Sequence, residues 1–384
     1  MKDIKSIMMV FGTRPEAIKM APLYYELLRR PNIFKVKICV TGQHKEMLYQ
    51  VLDIFKIKPD IDLELMKDGQ DLFDISSSAL LGMRDVLLEN EPDIVLVHGD
   101  TTTSFIAALS SFYLSIPVGH IEAGLRTHNI KSPFPEEFNR QTISKVSKWH
   151  FAPTKTSKDN LIKEGTDKKN IYITGNTVID SLFHVIHQIE TSSSIKSDVE
   201  TSLDDNLNFN WRESKFILIT GHRRENFGDG FLEICHAIKE LSLKYKEIHF
   251  VYPVHLNPNV QNPVNSILQG IKNIHLIKPL QYEPFIYLLK HSFLVLTDSG
   301  GIQEEAPSFG KPVIVMRDST ERPEAVDAGT VILSGANKKR INATISNLLD
   351  DRSKYESMSK SHNPYGDGNA CKKIADILEE LIYE

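Results

Sequence analysis

Short apolar runs rich in Val, Ile and Phe alternate with longer segments of helical period almost from one end of the chain to the other. This alternation constrains the fold more than any other feature. Strands joined through helices run parallel, and such sheets are covered by helices on both faces. The class is therefore α/β. The first half carries IMMVF (7–11), VKICV (36–40), DIVLVH (93–98), PVGHI (117–121), WHFA (149–152) and IYIT (171–174). A second series follows: FILIT (216–220), HFVYPV (249–254), IHLI (274–277), FLVLT (293–297), PVIVM (312–316) and TVIL (330–333). Between strands, segment 71–90 places Leu72, Ile75, Ala79, Leu80, Met83, Val86 and Leu87 at helical spacing, an apolar stripe that packs on a sheet. Two series of this length predict two doubly wound domains, in line with roughly two to three domains for 384 residues. The division falls between Gly175 and Asn210, and the polar stretch 191–210 reads as an exposed excursion outside the core. No fixed repeat period runs through the chain, which excludes a solenoid.

Composition excludes several classes. Hydrophobic residues at 41% and charged residues at 25% allow a sizeable core and do not fit a disordered chain. Lys and Arg number 45 against 50 Asp and Glu, and a net charge of -5 offers no pull toward nucleic acid or an anionic membrane. Cys39, Cys235 and Cys371 are odd in number, widely spaced and without a CxxC pair, so neither a disulfide framework nor a Cys zinc site is predicted. The first apolar run ends at Gly12, too early for a signal segment, and no run reaches the roughly 18 apolar residues of a membrane span. These features predict a soluble cytoplasmic protein.

In doubly wound folds ligands sit beyond the carboxyl ends of strands, so the residues just after each run carry the functional information. Gly12-Thr13-Arg14-Pro15-Glu16 follows the first strand and opens a helix whose free N–H groups favour an anion. Arg14 and Lys19 there are either phosphate ligands or solvated helix charges. No GxGxxG or GxxxxGK[ST] follows this strand, which disfavours a nicotinamide enzyme and a P-loop alike. Ser299-Gly300-Gly301 stands between a strand and a short helix and resembles a cradle for a nucleotide diphosphate. Glu304 or Glu305, one turn on, is placed to take a ribose hydroxyl, and Arg322 either neutralises the same diphosphate or pairs with a surface carboxylate.

Asp100, Glu122 and Glu136 lie at strand ends or in the loops beyond them, and His222 holds the corresponding place in the second half. Carboxylates gathered near one another push their pKa values apart and can supply both a base and an acid near neutral pH. Asp100 alternatively caps the helix that begins near Thr102. His222 suits proton transfer or phosphate binding, or is structural. The remaining histidines lack ligand spacing, and no metal site is predicted.

Ten stretches, in order, resemble the non-hydrolysing UDP-N-acetylglucosamine 2-epimerases: FGTRPEAIKMAPL (11–23), TGQHKEM (41–47), VHGDTTTS (97–104), HIEAGLRT (120–127), PFPEEFNR (133–140), TGNTVIDSL (174–182), TGHRREN (220–226), YPVHLNPNV (252–260), DSGGIQEEAPSFGKPV (298–313) and TERPEA (320–325). The resemblance implies two Rossmann-like domains of GT-B type around a central cleft, with residues 1–175 and 366–384 in the first and 176–365 in the second. It implies an isomerase that interconverts UDP-GlcNAc and UDP-ManNAc with no cofactor, by eliminating UDP to give 2-acetamidoglucal and re-adding it with C2 inverted. By this likeness Asp100, Glu122, Glu136 and His222 surround the sugar or phosphates, the carboxylates moving the C2 proton and stabilising a cationic C1; which does which stays open. Arg14, Lys19, Ser299, Gly300, Gly301 and Arg322 hold the substrate, Glu305 takes the ribose hydroxyls, and Phe285 packs on uracil. A homodimer is implied, as is a supply of ManNAc units for cell-envelope polysaccharide.

Some members bind a second UDP-GlcNAc as an activator through Gln43, a second Gln where this chain has Glu46, and an Arg where it has Gly69. Gln43 and His44 are kept, but the acidic Glu46 and the missing Arg predict activation that is reduced or absent. The competing readings are a GT-B glycosyltransferase using a UDP-sugar donor, a hydrolysing epimerase, and a nucleotide-sugar-binding regulator.

Overall fold

The computed structural model describes residues 3–42, 45–66 and 69–382. Two compact units divide it: Met1–Ser181 with Tyr365–Glu384, and Leu182–Pro364. Among the described residues, the first unit holds a seven-stranded parallel sheet of β1 (Lys5–Phe11), β2 (Phe34–Val40), β3 (Ile61–Asp62), β4 (Ile94–His98), β5 (Val118–Ile121), β6 (Trp149–Ala152) and β7 (Ile171–Ile173), in the order β3-β2-β1-β4-β5-β6-β7. The second holds six parallel strands, β8 (Phe216–Thr220), β9 (His249–Pro253), β10 (Ile274–Ile277), β11 (Leu294–Thr297), β12 (Val313–Val315) and β13 (Val331–Leu333), in the order β10-β9-β8-β11-β12-β13. Both are doubly wound. The twelve apolar runs are the strands, and β3, only two residues long, is too short to leave a periodic signal.

Each sheet reverses its winding next to its first strand, between β1 and β4 in one unit and between β8 and β11 in the other. At such a switch point adjacent connections leave toward opposite faces and open a crevice at the carboxyl ends. Those ends carry Gly12-Thr13 and Gly99-Asp100 in the first unit, and Gly221-His222 and Asp298-Ser299 in the second. The strands behind them are apolar and almost wholly buried, as continuous Val, Ile and Leu runs covered on both faces must be.

The chain returns to the first unit at its end. Helix Ala370–Ile382 packs against helix Arg14–Leu28. Asp180 accepts from the N–H groups of Ala370 (3.2 Å) and Cys371 (2.9 Å), filling the anionic place at a helix start. Arg30 pairs with Glu26, Asp376 and Glu379, and the Asn176 N–H donates to Tyr365 O at 2.7 Å.

Stretch 191–210 departs from its sequence reading. It is mostly helix, Ser193–Asn206, with Val199 and Leu203 buried and Leu207 and Trp211 buried just beyond. Apolar residues four apart, at Ile195, Val199, Leu203 and Leu207, make the stripe that the Ser and Asp content masks. The three cysteines are free and buried, and no described helix is long and apolar enough to cross a membrane.

Candidate active site

The first unit gathers four of the anticipated residues in one place. Lys19, Asp100, Glu122 and Glu136 line a cavity of about 300 Å³, together with Glu16 and His98. Its framework is the carboxylate of Glu16, which is 1% exposed. Oε2 accepts from the N–H groups of Gly12 (3.0 Å) and Thr13 (2.8 Å) and from Thr13 Oγ1 (2.8 Å), while Oε1 accepts from Thr101 Oγ1 (2.6 Å) and Ser104 Oγ (2.9 Å). Thr13 and Glu16 form a capping box at the start of helix Arg14–Leu28, so the same group that closes a helix end ties the loop after β1 to the loop after β4. Gly12 allows this closeness: a Cβ there would lie 2.1 Å from Thr41 Oγ1 and 2.5 Å from Thr103 Oγ1.

The cap of helix Thr102–Tyr113 is Thr101, whose side chain accepts from the Ser104 N–H, and not Asp100. That leaves the Asp100 carboxylate to pair with Arg140, while its backbone carbonyl accepts from Asn139 Nδ2 at 2.9 Å. Burial pushes the Asp100 carboxyl above its ordinary range. Arg140 opposes the shift, Glu122 adds to it, and Lys19 also opposes it. Glu137, next to Glu136, is fully buried: it pairs with Arg140 and accepts from the backbone of Thr127 and His128.

Glu122 has the left-handed φ of +60°, uncommon for a residue with a side chain. Its Oε2 pairs with Lys19 and accepts from Asn176 Nδ2 at 2.8 Å. Both donors favour the ionised carboxylate. His98 Nε2 lies 3.7 Å from the same oxygen. Burial lowers the His98 pKa to about 4, with Glu122 opposing and Lys19 adding to the shift, so this ring is neutral at physiological pH. Glu136, half-buried, opens helix Glu136–Val146. Arg14 opens its own helix half-buried, beside this cavity but outside its lining, and makes no ion pair among the described residues.

The second unit collects a different set. Asp298, fully buried at the end of β11, accepts through Oδ2 from the N–H groups of His222 and Arg223, both at 2.8 Å. Its Oδ1 lies 3.8 Å from His222 Nδ1. His222 stacks on His255 with ring centroids 5.2 Å apart. Burial lowers the His222 pKa, Asp298 opposes that, and His255 and Arg223 reinforce it. Ser299 leads into the short helix Gly300–Glu305. Arg322 pairs with the buried Glu304, and a Cβ on Gly300 would meet its Nη1 at 2.6 Å, so glycine is what lets the guanidinium lie against this turn. Gly301 adjoins the Glu305 carboxylate. Gln303 links the turn to the next loop, donating to Ser299 O (3.2 Å) and accepting from Thr320 Oγ1 (2.7 Å).

Beneath that loop Arg317, 7% exposed, donates to Glu225 and forks onto both oxygens of Glu321. Burial would raise the Glu321 carboxyl, but the hydrogen bond and charge of Arg317, with the Glu321 backbone N–H and Arg322 adding, together outweigh it and hold the pKa at about 2. Phe285 stands half-buried on helix Tyr282–His291, without a ring contact to another described aromatic residue. Gln43 and His44 lie outside the described residues. Glu46 is exposed, and a Cβ added to Gly69 would meet nothing within 4 Å.

Sequence reasoning passed over Glu16, His98, Arg140, Asn176, Asp298 and Gln303. The T-x-x-E capping box at 13–16 is a readable signal for Glu16. Arg140 and Asn176 have none, because their partners Asp100 and Glu122 are 40 and 54 residues away.

A family model described as UDP-N-acetylglucosamine 2-epimerase matches residues 26–379. A UDP-N-acetylglucosamine 2-epimerase of Campylobacter jejuni is 56% identical over 375 residues, covering 98% of this chain and 97% of the relative. One from Escherichia coli K12 is 54% identical over 97% of this chain and 98% of its own length. Among solved structures, UDP-GlcNAc 2-epimerase from Neisseria meningitidis bound to UDP-GlcNAc matches with a TM-score of 0.88 and 50% identity, covering 98% of this chain and 100% of that one.

Proposed function

This chain is a member of the UDP-N-acetylglucosamine 2-epimerase family, and from that premise we propose that it interconverts UDP-GlcNAc and UDP-ManNAc by removing and restoring UDP across C1–C2. The observation that carries the reading is the convergence of Asp100, Glu122 and Glu136 on one cavity, where Asp100 pairs with Arg140 and Glu122 with Lys19. A proton on C2 of the sugar is not next to a carbonyl, so its removal needs a base and a leaving group acting together. Glu122, held as an anion by Lys19 and Asn176, takes the C2 proton. The C–H electron pair becomes the C1–C2 double bond, and the C1–O bond breaks with its pair going to UDP. Asp100, whose carboxyl burial pushes up, returns a proton to the opposite face of C2 as a UDP oxygen attacks C1. Glu136 supplies negative charge toward the cationic C1 that both directions share.

UDP is assigned to the second unit. Arg322, the Ser299 hydroxyl, the N–H groups of Gly300 and Gly301, and His222 offer donors to a diphosphate, Glu305 offers acceptors to ribose hydroxyls, and Phe285 offers an apolar face to uracil. Arg322→Ala is expected to weaken UDP binding by about ten- to a hundredfold, and Arg322→Lys less, since an ammonium keeps the charge but not the fork. Titration calorimetry with UDP reads this directly, and an unchanged Kd removes Arg322 from the nucleotide site.

The deciding experiment supplies UDP-GlcNAc alone, in deuterated water. Proton NMR is expected to show UDP-ManNAc and deuterium at C2 of both epimers. Free sugar and UDP would instead indicate hydrolysis, and an unchanged substrate would indicate a transferase awaiting an acceptor or a binder without chemistry. The product would serve transfer of ManNAc into cell-envelope polysaccharide.

A further inference from the structure

His98 has no part in the scheme above, yet its position is tightly determined. It ends β4, its backbone N–H donates to Ser104 Oγ at 3.3 Å, and the same hydroxyl donates to its carbonyl at 2.7 Å. Ser104 Oγ also lies 2.9 Å from Glu16 Oε1, its single proton shared between that oxygen and the His98 carbonyl, and His120 Nε2 bonds Gly99 O at 2.7 Å, so the residues on both sides are held. The side chain is 4% exposed, lines the carboxylate cavity, and has an Nε2 without a hydrogen-bond partner. Buried polar nitrogens nearly always have a partner, and an orphan one asks for an explanation. The polar atom identified near it is Glu122 Oε2 at 3.7 Å, beyond hydrogen-bond reach for the ionised carboxylate.

We propose that His98 is a positioning residue for the proton step, its Nε2 accepting a hydrogen bond from Glu122 once that carboxylate has taken the C2 proton. The inference rests on the assignment of Glu122 as base. A neutral imidazole nitrogen without a proton is an acceptor. It gains nothing from the Glu122 anion and gains a hydrogen bond from the carboxylic acid, so it favours the state reached only after abstraction. In the abstraction step itself no proton leaves the pair: the hydrogen is held on Glu122, shared toward His98, until exchange with solvent resets the two carboxyls for the next turnover. Lys19 and Asn176 act in the other sense, since both donate to Oε2 and favour the anion. The other charged or titratable groups facing this pair are Asp100, Glu16 and Glu136 across the cavity and His120 on β5, the last held neutral by a pKa that burial lowers to about 3.

The test compares His98→Leu and His98→Gln with the unaltered enzyme, measuring kcat, KM, the pH dependence of kcat and the isotope effect with substrate deuterated at C2. Loss of a hydrogen bond made only after abstraction is expected to lower kcat about tenfold in His98→Leu with KM within about twofold. It is also expected to move the acidic limb of the pH profile down by about one unit, because the protonated base is no longer favoured. The isotope effect should grow as abstraction becomes slower. His98→Gln, which keeps an acceptor, should recover most of the rate. A folded His98→Leu with unchanged kcat, pH limb and isotope effect overturns the proposal. If the Leu variant does not fold, nitrogen-15 spectra of the unaltered enzyme decide: Nε2 must be the unprotonated ring nitrogen, and a protonated Nε2 overturns it. Glu122→Gln separates the two claims, since retained turnover there defeats the base assignment, whereas a dead Glu122→Gln beside a fully active His98→Leu defeats the role of His98 alone.

Discussion

Glu122→Gln is expected to lower the rate of C2 hydrogen exchange by about a thousandfold or more while leaving UDP affinity within about twofold. General-base catalysis contributes about 10²–10⁴ in rate, and an amide in the place of a carboxylate has no basicity to offer. The fold should survive, because the amide oxygen still accepts from Lys19 and from Asn176 Nδ2, the two donors that now converge on Oε2. A selective fall in kcat is what distinguishes a group that moves a proton from one that only holds the sugar. Exchange within tenfold of the unaltered rate would transfer the role of base to Asp100 or Glu136. The left-handed backbone of Glu122 bears on the choice of variant: a residue already at φ +60° tolerates a change of side-chain charge better than a β-branched replacement, so Gln rather than Val or Thr is the clean probe.

Glu16→Ala is expected to be the most damaging single change to the first unit, lowering its stability by about 3 kcal/mol and activity with it. Five donors converge on that carboxylate, two of them backbone N–H groups that cannot rotate toward other acceptors. Each buried donor left unsatisfied costs about 1–3 kcal/mol, and the capping box is lost as well. The loop that carries Asp100 is held through Thr101 and Ser104, so its position should loosen.

The pH signature of Glu16 is separate from that loss. Burial raises the Glu16 carboxyl above its ordinary value, and the hydrogen bonds from Thr101, Gly12, Thr13 and Ser104 only partly offset this. A folded-state pKa above the unfolded one means that folding favours the protonated form. Its contribution is complete below the unfolded value of 4.5 and declines as pH rises through the folded value. Urea unfolding of the unaltered protein should show that decline, and Glu16→Gln, which cannot ionise, should lack it. A Glu16→Ala protein of unaltered stability would show that the converging donors find other partners.

The carboxyl ends of β4 and β5 bring Asp100 and Glu122 to one cavity, and the reason is topological. Wherever a parallel sheet switches winding, side chains just past the strands share one crevice, so Asp100 and Glu122 could be singled out from β4 and β5 alone. The reading from composition failed at 191–210, where Ser and Asp content concealed a four-residue apolar spacing.

By itself the sequence determined the α/β class, the twelve main strands, and the residue types standing at their ends, because apolar runs and helical stripes are local patterns set by which face of each element must be buried. Tertiary structure alone decided the protonation settings: that Thr101 and not Asp100 caps its helix, that Arg140 meets Asp100, that Lys19 and Asn176 meet Glu122, and that an unpartnered His98 nitrogen faces it. These depend on burial and on distances of a few ångströms between residues tens of positions apart. A pattern of residue types along a chain carries no record of either.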